Sequence, residues 1–305
     1  MFNKFILVLF ITYFYIPSTS QSNNSSTPVV IWHGLGDSCC KPNGIGMLIK
    51  EIETVIPGLY TLSIKIGSTE LGDTWNSLFL HPDEQVIRAC RIISLDPNLK
   101  NGFHAIGFSQ GAQLLRALIQ RCPGAKIKNF ISLGGQHQGV YGIPMCPKWL
   151  SAVCGFLNNV VNYIVRWSWI QSLYVPFTYW HNALDETEYI KHSTFLADIN
   201  NEREIYTIYT ERLTNIDNFV MVKYEHDEMV IPIESSWFGF YQPGQDRKIL
   251  RFNESRIYQQ DRLGLRGMDL KNQLHFLSLP GGHVEYEPNW FKENIIKKFL
   301  VQTIT

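Results

Sequence analysis

Five residues constrain this chain more than any others: Gly107-Phe108-Ser109-Gln110-Gly111. They stand between an apolar run that reads as a strand, His104–Phe108, and a run of helical spacing, Gln110–Arg121. In that setting G-x-S-x-G marks a sharp turn that lifts a serine hydroxyl to the carboxyl end of a strand. The flanking positions must be small, because neighbouring backbone passes close to the turn. The helix behind the serine presents free N–H groups and the positive end of its dipole to an anion forming there. A strand, a packed helix and a nucleophile candidate are thus implied together.

The rest of the chain repeats the same alternation. Val29–Trp32, Leu59–Ile66, Phe130–Leu133, Phe219–Tyr224 and Leu274–Leu279 read as further strands. Glu84–Leu95 has helical spacing, with Val86, Ile87, Cys90, Ile92 and Ile93 on one side, and Trp290–Val301 reads as a closing helix. Strand and helix in turn predict an α/β fold, a mainly parallel sheet with helices on both faces. The alternation breaks from about 141 to 218, where the pattern is helical and aromatic. Val153, Phe156, Leu157, Val160, Val161 and Ile164 fall on one helical face. Trp167, Trp169, Tyr174, Phe177, Tyr179 and Trp180 follow. A helical insertion is expected here, most of its aromatics forming its own core and the rest walling a groove.

A serine hydroxyl needs a base, and the base needs an orienting acid. In strand-turn-helix enzymes of this kind the order is Ser, then acid, then His. His283 follows the last strand in Pro280-Gly281-Gly282-His283 and fits the base. Asp227 follows the strand Phe219–Tyr224 and is the leading acid, with Glu225 and Glu228 as local rivals. The loop His33-Gly34-Leu35-Gly36 follows the first strand, so the backbone amides of Leu35 and Gln110 are the expected oxyanion donors. His33 reads as structural, His104 as a packed strand residue, and Gly134–Gly139 as a turn near the cleft.

Composition bounds the function. The 305 residues carry 27 basic and 27 acidic side chains, which argues against a general nucleic-acid binder. Apolar residues make up 45 % and charged residues 18 %, a globular balance. Lys4, the apolar stretch Phe5–Ile16 and the small residues Pro17–Ser20 form the pattern of a secretory signal peptide over residues 1–20, leaving 21–305 as one domain. The apolar stretch is shorter than the ~18–20 residues of a membrane span, and no later run is long enough, so the mature chain is expected to be soluble. Cys39, Cys40, Cys90, Cys122, Cys146 and Cys154 fit a disulfide framework in an oxidising compartment. Adjacent Cα atoms lie about 3.8 Å apart, below the usual disulfide range, so sequence does not demand a Cys39–Cys40 bond. Asn23, Asn24 and Asn253 head N-glycosylation sequons.

Across nearly all of the mature chain these residues resemble the lysosomal palmitoyl-protein thioesterase family, α/β-hydrolases that strip fatty acyl groups from S-acylated cysteines. The resemblance rests on the runs Ile31–Cys40, Gly107–Gly111, Gly134–Gly139, Phe195–Asn200, Trp237–Tyr241 and Gln260–Leu265. The paired cysteines of the first run separate it from the sister thioesterase branch. The resemblance puts the nucleophile, acid and base on Ser109, Asp227 and His283. It implies the bonds Cys39–Cys40, Cys90–Cys122 and Cys146–Cys154. It further implies fatty acyl thioesters and S-acylated proteins or peptides as partners, no metal or organic cofactor, and delivery to the lysosome. Gly282 and Ala112 depart from the family's Asp and Gly, and two family glycosylation sites are absent, at Lys191 and at His226. Rival readings are a secreted lipase or oxyester hydrolase, and a hydrolase-fold binding protein without catalysis.

Overall fold

The computed structural model describes residues 26–301. The signal-peptide reading and the sequons at Asn23 and Asn24 lie outside the described residues. The main strands are β1 (Val29–Trp32), β2 (Thr61–Ser63), β3 (Phe103–Phe108), β4 (Ile127–Leu133) and β5 (Asn218–Tyr224). A short antiparallel pair follows, β6 (Phe240–Tyr241) with β7 (Ile249–Leu250), and then β8 (Leu274–Leu279). One sheet of six strands runs in the order β2-β1-β3-β4-β5-β8, parallel throughout. The fold is the expected α/β-hydrolase arrangement.

Parallel strands buried on both faces must be apolar at nearly every position. β1 is Val-Val-Ile-Trp, and every residue is buried. Successive side chains enter opposite layers. Val30, Trp32, Ala105, Phe130 and Phe219 pack on one side, under α3 (Pro82–Leu95) and α4 (Gln110–Arg121). Val29, Ile31, Ile106, Ile131 and Val220 pack on the other, under α1 (Ile45–Val55) and the closing helical segment, Pro288–Phe291 continuing into Lys292–Leu300. Between α1 and α3 lies α2 (Glu70–Phe79).

Three local readings are corrected. The expected strand Leu59–Ile66 narrows to Thr61–Ser63, because β2 is an edge strand paired only with the four-residue β1. On α3 the buried stripe is Val86, Ala89 and Ile93, so Ile87, one residue off that stripe, is exposed. The closing helix is not regular: Lys292–Leu300 winds in wider turns, and the Val301 amide donates to the Ile296 carbonyl.

The segment from β4 to β5 divides in two. Its later part is core: Val175, Tyr179, Tyr189, Phe195, Leu196 and Leu213 are buried. The run Phe195–Asn200 is spent on α4, where Arg116 donates to the Ile199 carbonyl (3.0 Å) and to Asn200 Oδ1 (2.8 Å). Arg121 holds Asp83 of α3 and, in the same run, Asp198. The earlier part contradicts the expectation of an aromatic core. Helix α5 (Ser151–Ile164) has no buried residue, and Phe156, Trp167 and Trp169 are exposed. Among the described residues no helix is long and apolar enough to cross a membrane.

Candidate active site

The strand order reverses between β1 and β3, and in open parallel sheets such a reversal opens a crevice at the carboxyl ends of the strands. The expected site residues emerge there: the loop 33–39 after β1, Ser109 after β3, Gly134–Gln136 after β4, Asp227 after β5 and His283 after β8.

The elbow is as tight as its glycines require. A Cβ on Gly107 would sit 2.3 Å from Ala112 Cα, and one on Gly111 would sit 2.3 Å from the Trp32 carbonyl oxygen. No side chain fits at either position. Ser109 takes φ 51° and ψ −121°, a sparsely populated conformation for a residue with a Cβ. The packing of β3, α4 and β1 holds it there and aims its hydroxyl out of the sheet.

Ser109, His283 and Asp227 form one hydrogen-bonded chain. His283 Nε2 lies 2.8 Å from Ser109 Oγ, and His283 Nδ1 lies 2.6 Å from Asp227 Oδ2. A proton on Nδ1, donated to the carboxylate, leaves Nε2 free to accept from the serine. Asp227 is itself fixed: its Oδ1 accepts from the amides of Met229 (2.8 Å) and Val230 (2.9 Å), and its side chain is buried. The rivals point elsewhere. Glu225 is exposed and bonds Ser278, and Glu228 is exposed.

The Gln110 amide belongs to the first turn of α4, where the helix itself offers no acceptor. The Leu35 amide stands on the facing loop, and Leu35 lines the cleft with Ser109. A carboxylate that sequence reasoning missed organises this loop. Asp73 of α2 is buried; its Oδ2 accepts from the Cys39 amide (2.9 Å) and meets His33 Nε2 at 3.1 Å. Its Oδ1 accepts from the Ile66 amide (2.7 Å). Burial works to raise the Asp73 carboxyl, but His33 and these two amides outweigh it and hold it below its ordinary value. Ser77, one turn further on α2, ties in both the loop after β1 and the start of α4. Its hydroxyl accepts from the Gly36 amide (2.9 Å), and its carbonyl accepts from Gln110 Nε2 (2.8 Å). Nothing local in the sequence joins Asp73 to Cys39, 34 positions away.

His33 is thus a buried structural residue, and His104 is packed in β3, where burial lowers its pKa to about 4. The cysteines pair as Cys39–Cys40, Cys90–Cys122 and Cys146–Cys154, with Cα–Cα distances of 3.7, 5.5 and 6.4 Å. Asn253 is exposed, while Ser255 of its sequon is buried and caps the short helix Arg256–Gln259.

A cavity of about 560 Å³ opens over Ser109 and His283, a size suited to a small-molecule ligand. Ile143, Val161, Phe177, Trp180, Met229 and Val230 line it. Its wall is therefore mostly hydrocarbon and aromatic ring, with Ser109, His283, Gln136, Asp37 and Asn43 among the polar residues.

Over 286 residues the chain is 41% identical to palmitoyl-protein thioesterase 1 of Caenorhabditis elegans, covering 93% of this chain and 96% of that one. It is 33% identical over 267 residues to palmitoyl-protein thioesterase 3 of Dictyostelium discoideum, covering 86% and 87%. With lysosomal thioesterase PPT2 of Homo sapiens the identity is 26% over 265 residues, covering 86% and 83%. The family model described as palmitoyl protein thioesterase matches residues 28–283, a span that runs from the first strand to the histidine facing Ser109. By that match and those identities, the chain belongs to the palmitoyl protein thioesterase family.

Proposed function

We propose that this protein is a serine thioesterase that hydrolyses long-chain fatty acyl thioesters, palmitoyl groups on cysteine above all, through an acyl-serine intermediate. The observation that carries the reading is the Ser109–His283–Asp227 hydrogen-bonded chain at the floor of an apolar cavity of about 560 Å³. Ser109 Oγ attacks the thioester carbonyl carbon as its proton passes to His283 Nε2. Asp227 stabilises the imidazolium that results. The carbonyl oxygen, now an anion, is held by the Leu35 and Gln110 amides. The C–S bond then breaks. A thiol with a pKa of about 8.5 is a good leaving group, so the cysteine departs readily, and its sulfur takes the proton from His283, which returns to the neutral imidazole. The acyl group is left as an ester on Ser109. Water attacks it, His283 takes a proton from that water and returns one to Ser109, and the fatty acid leaves.

The same reading places the protein in the secretory pathway with the lysosome as its destination. The pattern of residues 1–20, the three cysteine pairs and relatives named lysosomal thioesterases support it. A fluorophosphonate probe and a palmitoyl-thioester assay test the mechanism together. The native protein should label at Ser109 and turn over the thioester, and Ser109→Ala should do neither while keeping its melting temperature. Turnover near that of the native protein in pure Ser109→Ala would overturn the assignment.

A further inference from the structure

Helix α5 leaves most of its apolar residues in contact with water. A surface helix normally buries its apolar stripe and shows its polar residues to water. Here the inward side is narrow: Val161 and Ile164 are half-buried against the core, Asn162 Oδ1 accepts from Trp180 Nε1 (2.9 Å), and Asn162 Nδ2 donates to the Tyr141 hydroxyl (3.4 Å). The outward side carries Val153, Phe156, Leu157, Val160 and Tyr163. The Cys146–Cys154 bond ties the helix to the chain before it. Trp149, Trp167 and Trp169 flank the helix; Trp149 is 82% and Trp169 60% exposed. Scattered apolar side chains on a surface need no explanation, but a contiguous field of this kind marks an interaction site.

Two observations say what covers it. The first is charge. Between Tyr141 and Leu184 the sequence holds no Asp or Glu, and its only Lys or Arg residues are Lys148 and Arg166. They stand at the two ends of α5, Arg166 paired with Glu188 and Lys148 without a carboxylate partner among the described residues. A segment without carboxylates of its own, with a basic group at its edge and Trp and Tyr across it, complements an anionic lipid headgroup layer. The second is continuity with the cleft. Val161 of α5 lines the cavity over Ser109. From the other side an aromatic chain leads in: Trp75 to Phe79 (4.3 Å between ring centroids), Phe79 to Tyr174 (6.1 Å), and Tyr174 to Phe177 (5.3 Å). Tyr174 and Phe177 line the cavity, and Trp75 is exposed.

We infer that this face docks on the surface of an anionic bilayer, seating the mouth of the cleft against the lipid so that an acyl chain passes between them without crossing water. The helix is too short to span and lies in the interface, as a monotopic contact does. The docking surface stands on the exposure of α5 and its charge pattern; only the cargo of the cleft rests on the thioesterase reading.

Flotation with vesicles separates the two. Purified Ser109→Ala protein is mixed with vesicles of phosphatidylcholine containing about a third phosphatidylglycerol, and in parallel with phosphatidylcholine alone. It should float with the anionic vesicles, more weakly with the neutral ones, and its tryptophans should be quenched by brominated lipid. Trp149→Ser, Phe156→Ser and Trp169→Ser combined should weaken vesicle binding at least tenfold, with Lys148→Glu weakening it by a smaller factor. In the Ser109 background the same triple variant should keep its melting temperature and its turnover of a short, water-soluble thioester, while losing at least tenfold on a palmitoyl peptide held in vesicles. Phe156→Glu alone serves if the triple variant does not fold. Protein that stays in the soluble fraction with both vesicles overturns the inference, as does a triple variant that floats like its parent. A dimer in solution that the triple variant turns to monomer also overturns it, in favour of a second copy on this face.

Discussion

At the scale of single residues, the site is a problem of placing one proton. The hydroxyl of Ser109 is a weak nucleophile until His283 Nε2, 2.8 Å away, can accept its hydrogen. The imidazole does so in the right tautomer because Asp227 holds Nδ1 from behind, itself locked by the Met229 and Val230 amides. Asp227→Asn keeps this shape and removes the charge. We expect kcat to fall, by as much as about 10⁴, with little change in melting temperature. Glu225→Gln and Glu228→Gln should stay within a few-fold of the native rate in the same assay, because both side chains are exposed and Glu225 bonds Ser278 instead. The reverse ranking would move the acid. Neither family departure near the site removes a reacting atom. At Gly282, where the family has Asp, Glu285 comes in and accepts from the Gly282 amide at 2.9 Å.

At the scale of elements, α4 carries the most. It begins at Ser109, is buried along nearly its whole length, and is clamped by polar groups rather than only by oil. Arg116 bonds the His137 carbonyl (3.1 Å) as well as the 199–200 segment, so the loop behind the cleft and the base of the insertion share one guanidinium. At its far end Cys122 is bonded to Cys90 on α3, with a sequence separation of 32. Closing a loop of that length is worth roughly 3–4 kcal/mol through the entropy of the unfolded chain. Cys90→Ser with Cys122→Ser should therefore lose most of that in a denaturant titration and lower the melting temperature by several degrees. A double variant as stable as its parent would mean that the bond constrains nothing. Helix α5 contrasts with α4: the same kind of apolar pattern is covered in one and largely exposed in the other.

At the scale of the molecule, a polar cluster behind the cleft couples the fold to pH. His181 lies between the rings of Tyr189 and Phe240, donates from Nδ1 to the Gln138 carbonyl, and meets Glu186 at 2.7 Å. Burial works to lower His181, but Glu186 outweighs it and holds it above its ordinary value. Burial pushes Glu202 up to about 7, with Glu186 adding to the rise and His181 offsetting part of it. Both shifts have the same sign for stability. The folded chain holds a proton on Glu202 that the unfolded chain releases from about pH 4.5, so stability falls as pH rises from there to about 7. The stabilisation from His181 is complete below about pH 6.5 and is lost as pH rises through its raised value. Glu186 is held low and acts in the opposite sense only below its ordinary 4.5. Melting temperatures of the native protein and of Glu202→Gln, compared at pH 5 and pH 7.5, should show the native protein losing more on going to the higher pH. Equal losses would remove Glu202 from the coupling. A second whole-molecule expectation concerns the cleft. With an apolar cavity of about 560 Å³ over the serine, activity on a thioester series should climb with acyl length. Each buried methylene contributes at most ~0.8 kcal/mol, up to several-fold, until the cavity is full. A flat profile, or best activity on acetyl and butyryl thioesters, would leave the serine chemistry and remove the long-chain groove.

What the sequence determined by itself is what local order controls. Continuous apolar runs such as Val29–Trp32 can only be strands buried on both faces, and small residues at 107 and 111 can only serve where backbones cross. Chain order after successive strands pointed to Ser109, Asp227 and His283, because parallel strands deliver their following loops to one edge of the sheet. The helix Ile45–Val55, which the sequence reading did not name, carries helical spacing in its buried Ile45, Leu48 and Ile52. Tertiary structure alone decided the rest. Periodicity finds an apolar helical face but carries no information about how much of it is covered, so most of the α5 face is surface while Val161 and Ile164 pack on the core. Asp73 acts on the loop 33–39 only because α2 packs beside it, and nothing in a sequence records a contact between segments set apart by a helix, a strand and their loops. Direction and long-range contact depend on what the remaining elements leave uncovered, and that is a property of the whole packed chain.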